Sequence, residues 1–215
     1  MSSLPNIKYA GDFCKEVSAK DNKYENITFY KPLEYFSTTE NYTKFVKACE
    51  KQVRQSDDYK KYIKWVTNVV GLNFCQVSPN IIADVDATVE MHHGPLFTLW
   101  DYVSVILNNE MSLGHNITTF DITDKVLEEH YACRVQIVML AVTNHEAVHN
   151  RDIFLNIKQG FGNLAEFIEM YGHVFTDNQK YRVARYISLC ESTDSFDNNI
   201  FDVEKVKKVL PLESY

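Results

Sequence analysis

Two stretches decide how this chain is read: Val89-Glu90-Met91-His92-His93-Gly94-Pro95, and Val135-Gln136-Ile137-Val138-Met139-Leu140-Ala141-Val142, which runs on through Thr143-Asn144 to His145-Glu146-Ala147-Val148-His149. They hold four of the chain's 7 histidines. Residues four apart on a helix share a face, so His145 and His149 aim two imidazoles at one point. Val135 to Val142 is short, β-branched and apolar, which predicts a buried strand leading into that helix. Thr143 or Asn144 is placed to cap the helix. An earlier strand is predicted over Ile81–Met91, where Ile82, Val85, Val89 and Met91 are spaced among Asp84, Asp86 and Glu90.

Neighbouring histidines at a strand end face opposite sides unless the chain bends, and Gly94-Pro95 is where it would bend. One of the pair then completes a three-imidazole site with His145 and His149, with a coordination position left open. The other stays unliganded, close enough to take a proton from a water. Three neutral imidazoles suit Zn, Ni, Co or Mn better than Ca. Glu90 shares a strand face with His92 and can orient a ligand.

Outward from these stretches, helical periodicity dominates. From Thr38, with Thr39 as cap, Phe45, Val46, Cys49 and Val53 mark one helical face. Ser56 caps a second helix that ends at Gly71. Between the two strands, helices are expected at 98–111 and 123–131, opened by Thr98 and Thr123. Helices at 163–171 and 176–190 follow, then a polar loop at 192–199 and a short helix near Val203–Val209. The expected architecture is mainly helical α+β. It reads as one domain: 1–37 irregular, 38–72 helical, 80–152 a ββα core with a helical insertion, and 153–215 helical.

Composition bounds the function. With 45% hydrophobic and 13% aromatic residues, the 215-residue chain can bury a sizeable core. No apolar run approaches the roughly 18 residues of a membrane span. The start lacks an apolar signal core, and 5 scattered cysteines read as reduced thiols, so a cytoplasmic, non-membrane protein is expected. The net charge of -7 opposes a nucleic-acid role. Basic residues nonetheless cluster in two places, around Lys44–Lys64 and from Lys180 to Lys208, from which a nucleic acid would have to approach.

Glu90-Met91-His92-His93, a later strand and a His145-x-x-x-His149 helix resemble the ββα-metal finger of the HNH nuclease superfamily. The variant in bacteriocin-type DNases is the most similar, and a phage-encoded protein of this kind is one source. The resemblance covers about 70 of the 215 residues. It implies a divalent-metal-dependent endonuclease that hydrolyses phosphodiester bonds with one ion (Zn, Ni, Mn or Mg). His92, His145 and His149 would be the ligands and His93 the general base, with Glu90 and Gln136 as further catalytic-site residues. Gln136 stands where the family carries an orienting Asn or similar residue. Arg134 and Arg151 are the candidates for holding phosphate. The implied partner is nucleic acid, DNA ahead of RNA, with a protein partner as a further option. The two histidine pairs are 51 residues apart, against roughly two dozen in a compact ββα unit, the excess being the two inserted helices.

Two rival readings remain open. His145-Glu146-Ala147-Val148-His149 also fits the HExxH of zinc peptidases, with Glu166 or Glu169 as third ligand. Arg151 stands where that pattern prefers an apolar residue, and the peptidase gives Glu90, His92 and His93 no task. The other rival is an HNH-like fold that no longer cleaves and binds a partner instead. Of the remaining histidines, His115 and His173 read as loop or surface residues and His130 as a partner of a helix C-terminal dipole.

Overall fold

The structure is a computed structural model that describes residues 29–192 and 202–210. Most of the irregular start, and the expected loop at 192–199 apart from Ser192, lie outside those residues. Among the described residues the chain is mainly helical, with eight α-helices and one two-stranded antiparallel sheet. The order is α1 (Thr39–Gln55), α2 (Asp57–Trp65), β1 (Val89–His93), α3 (Leu99–Ser112), α4 (Thr119–Tyr131), β2 (Ile137–Ala141), α5 (Val142–His149), α6 (Leu164–Tyr171), α7 (Asp177–Ser192) and α8 (Val203–Val209).

Helix starts follow local side-chain chemistry. Thr98 and Thr118 each accept a hydrogen bond from the backbone three residues on, while Asp101 and Asp121 reach back to the cap, forming two capping boxes. α4 therefore begins at Thr119, before the expected Thr123. The cap of α1 is Thr38, whose extended backbone lets its hydroxyl accept from the Asn41 N–H, and Thr39 is already helical. Ser56 caps α2 as expected, and a π-helical turn over Val66–Val70 carries that stretch to Gly71, whose φ of 86° ends it.

The sheet pairs His92 with Val138 and Glu90 with Leu140. β2 is buried along its whole length. Ile137 and Met139 join the large helical core with Phe97, Tyr102 and Phe167, whereas Val138, Leu140 and Ala141 pack with Cys75 and Leu155 in a smaller cluster. Burial on both faces explains the unbroken apolar run.

The first strand is shorter than the expected Ile81–Met91. Residues before Val89 turn instead of extending: Asp84 takes a left-handed φ of 59°, the Asp86 carboxylate accepts from the Ile82 N–H, and Val85 is 76% exposed. Asp84 and Asp86 thus act as turn residues, and the apolar spacing around them is no strand signal. α3 and α4 lie between the strands in sequence and fill the core on the sheet's inner side.

Candidate metal centre

Strand alternation divides the first histidine pair. Glu90 and His92 face α5, while Met91 packs with the helical core and His93 is buried against the helices. α5 starts directly at the end of β2, with Ala141 as N-cap and no side-chain cap, so neither Thr143 nor Asn144 caps it. Asn144 instead donates to Cys75 Sγ and Ser78 Oγ, both at 3.1 Å, pinning the first turn. That turn presents His145, and one turn later His149, to His92.

The three imidazoles converge. One ring nitrogen from each of His92, His145 and His149 lies within 4.8 Å of the others, and among the described residues they form the group of His, Cys, Asp or Glu side chains placed to hold an ion. His145 Nε2 and His149 Nε2 are 3.1 Å apart. If each stood about 2.0–2.1 Å from a shared ion, they would subtend roughly 100°, between octahedral and tetrahedral angles. Glu90 Oε2 is 2.8 Å from His145 Nδ1, so His145 donates there and keeps its Nε2 lone pair for the centre. Burial, then the neighbouring His145 and His149, pushes the His92 pKa down to about 4, which keeps its ring neutral and able to ligate. The donor set fits a borderline transition ion such as Zn, Ni or Co.

Gly94 lets the chain pass close behind this site. A Cβ there would stand 2.9 Å from His92 Cδ2 and 3.0 Å from His92 Nε2.

His93 is elsewhere. Its ring is buried and stacks on Tyr59, with His93 Nε2 3.0 Å from His130 Nε2. His130 Nδ1 lies 2.7 Å from the Val126 carbonyl, which can only accept. His130 is therefore protonated on Nδ1, and its Nε2 accepts from the Nε2–H of His93. Burial holds both rings well below the ordinary histidine pKa, His130 at about 4. The water-activating role expected of His93 does not suit this position, because the strand continues its pleat to the end of the pair and does not bend between them. His130, expected at a helix end, is wholly buried as the partner of His93.

The other expected site residues are dispersed. Gln136 is buried; its N–H donates to Tyr102 OH and its side-chain amide to the Ile157 carbonyl, and neither bond involves the three histidines. Arg134 is tied to Glu129 at 2.6 Å and Glu166 at 3.3 Å, so it is not free for phosphate. Arg151 is exposed, two residues past His149, and has no ion-pair partner among the described residues. Glu169 pairs with Lys205, so neither carboxylate proposed as a peptidase ligand stands free at the centre. His115 bonds Glu110, and His173 is exposed.

A family model described as bacteriophage G278-like virion protein matches residues 7–213. No curated protein and no solved structure matches the chain. Among the described residues no helix is long and apolar enough to cross a membrane.

Proposed function

The chain belongs to the family of bacteriophage G278-like virion proteins, and on that premise we propose that it is a particle component whose three-histidine centre binds one divalent metal ion and hydrolyses phosphodiester bonds. The carrying observation is the ligand count. Structural zinc sites close with four protein ligands, whereas catalytic ones keep three and leave a position open. Among the described residues His92, His145 and His149 make three, and His149 is exposed to solvent. The order of strand, antiparallel strand and helix around them supports the likeness to the HNH ββα unit, with α3 and α4 as the insertion.

When bound, a divalent ion supplies Lewis acidity: it brings the pKa of a coordinated water towards neutrality and offsets charge building on phosphoryl oxygens. The chain's own groups do the rest. Glu90 fixes the tautomer and the angle of His145. Burial keeps His92 neutral. Arg151, two residues past the last ligand, is exposed and has no ion-pair partner among the described residues. In this reading His93 anchors β1 through His130 and takes no proton from substrate. The place of action is the particle, in preference to the expected cytoplasmic location.

A second reading is favoured by the burial of His93: a centre that binds metal and organises an interaction surface without cleaving. The experiment is metal analysis of the purified protein together with cleavage of plasmid and single-stranded DNA in Mg, Mn, Ni and Zn buffers. The proposal expects one ion per chain and cleavage, both lost in His149→Ala. Equal cleavage by the wild type and His149→Ala, or no ion bound by the wild type, overturns it. An ion bound without cleavage selects the second reading.

A further inference from the structure

Two adjoining clefts of about 300 and 320 Å³ lie next to the histidine centre and share Pro95 and Tyr186 as a wall. None of the three histidines lines them, but residues that neighbour the histidines do. Val148, between the two helical histidines, lines one of them, and so does Leu155, which together with the His92 ring closes on Gly94. In a chain of net charge -7, Arg151, Arg182 and Arg185 line these clefts, and among the described residues no carboxylate does. Arg182 is committed to Asp101 and the Leu96 carbonyl. Arg151 and Arg185 are exposed and have no ion-pair partner among the described residues. Arg151 also adopts a φ of 67°, in the left-handed region that favours glycine, at the end of α5. Two aromatic rings open onto the same surface, Phe154 at 51% and Tyr181 at 47% exposure.

We infer that these clefts bind single-stranded nucleic acid, with phosphates on Arg151 and Arg185 and bases stacked on Phe154 and Tyr181, an assignment of substrate class that rests on the phosphodiester reading above. Unpaired cations alongside exposed rings match what a single strand offers, a flexible anionic backbone and free base faces. A duplex keeps its base faces stacked inside and offers these rings nothing.

Binding of a fluorescein-labelled oligothymidylate, and of a duplex of equal length, is measured by anisotropy in EDTA so that no cleavage intervenes. The single strand should bind more tightly. Arg151→Gln with Arg185→Gln should weaken it roughly tenfold or more and reduce the slope of log K against log salt by about 1.4, near 0.7 per phosphate contact, over about 50–200 mM salt. Phe154→Ala, which leaves the charges in place, should weaken it roughly tenfold. Unchanged binding in both variants, or a duplex bound as tightly, overturns the inference. Zinc uptake is measured on the same proteins and should be unaltered by the arginine substitutions. Arginine-dependent strand binding in a wild type that takes up no zinc would sustain the cleft while removing the metal reading.

Discussion

Glu90 and His145, 55 residues apart in sequence, are joined by a 2.8 Å hydrogen bond between Oε2 and Nδ1. The bond crosses from strand to helix and leaves the opposite nitrogen of His145 directed at His92 and His149. Removing the charge without the shape, as in Glu90→Gln, should weaken zinc affinity about 10–100-fold, since a carboxylate behind a ligating imidazole raises its basicity. Competition against a zinc-responsive dye measures this. Affinity within about twofold of wild type would deny Glu90 the role.

Metal removal should cost stability. At free zinc near 100 times the dissociation constant, binding stabilises the fold by about 2.7 kcal/mol. For a chain of this size that corresponds to roughly 5–10 °C in melting temperature. Thermal melts with zinc and with EDTA should differ by that amount in the wild type and coincide in His92→Ala.

Gly94→Ala separates ligation from folding. The added methyl would meet the His92 ring, a side chain that can swing aside, so the backbone should fold normally. The displaced ring should lower zinc affinity at least about tenfold, since a ligand must stand within about 0.2 Å of its ideal distance. Native-like circular dichroism with wild-type affinity would contradict the tight approach.

The buried pair makes stability depend on pH. His130 titrates at about 4 in the fold against an ordinary 6.5, so the unfolded chain binds more protons between these values. Stability is then full above about pH 6.5 and falls as pH drops towards 4, by roughly 3 kcal/mol from this one ring. Urea midpoints of metal-free protein should decline from about pH 7 to about pH 5, and a flat profile would show that the ring is not held neutral.

Arg151→Gly should act in opposite directions on folding and binding. Relief of the left-handed backbone should add about 1 kcal/mol of stability. Loss of the guanidinium should weaken oligonucleotide binding. A glycine variant that is less stable would show that the arginine side chain makes contacts that outweigh the backbone cost.

Much of this was legible in the sequence. The spacing of His145 and His149, the apolar run of β2 and the inserted helices are local patterns, and they appear close to where periodicity puts them, with α4 starting at Thr119 ahead of the expected Thr123. What depended on packing was not legible. Alternation separated His92 from His93, but whether Gly94-Pro95 would undo it is settled by the helices that close over His93, with Tyr59 and His130 waiting there. The fates of Arg134 and Gln136 depend likewise on distant partners, Glu166 32 residues from Arg134, and Tyr102 and Ile157 34 and 21 residues from Gln136. The turn at Asp84 and Asp86 replaces the expected strand because the turn preference of aspartate outweighs the apolar spacing there. The cleft beside the centre joins α5 to α7, and the sequence offered only a basic cluster as a sign of it.

The insertion of α3 and α4 between the strands has a temporal consequence. During synthesis, residue 92 emerges before residues 145 and 149, and the three side chains meet only once β1 has paired with β2. Helix α5 alone offers two nitrogens, too few for a firm grip. In the proposed reading, ion capture needs both halves of the site, so a chain that ends before α5 should hold no zinc there.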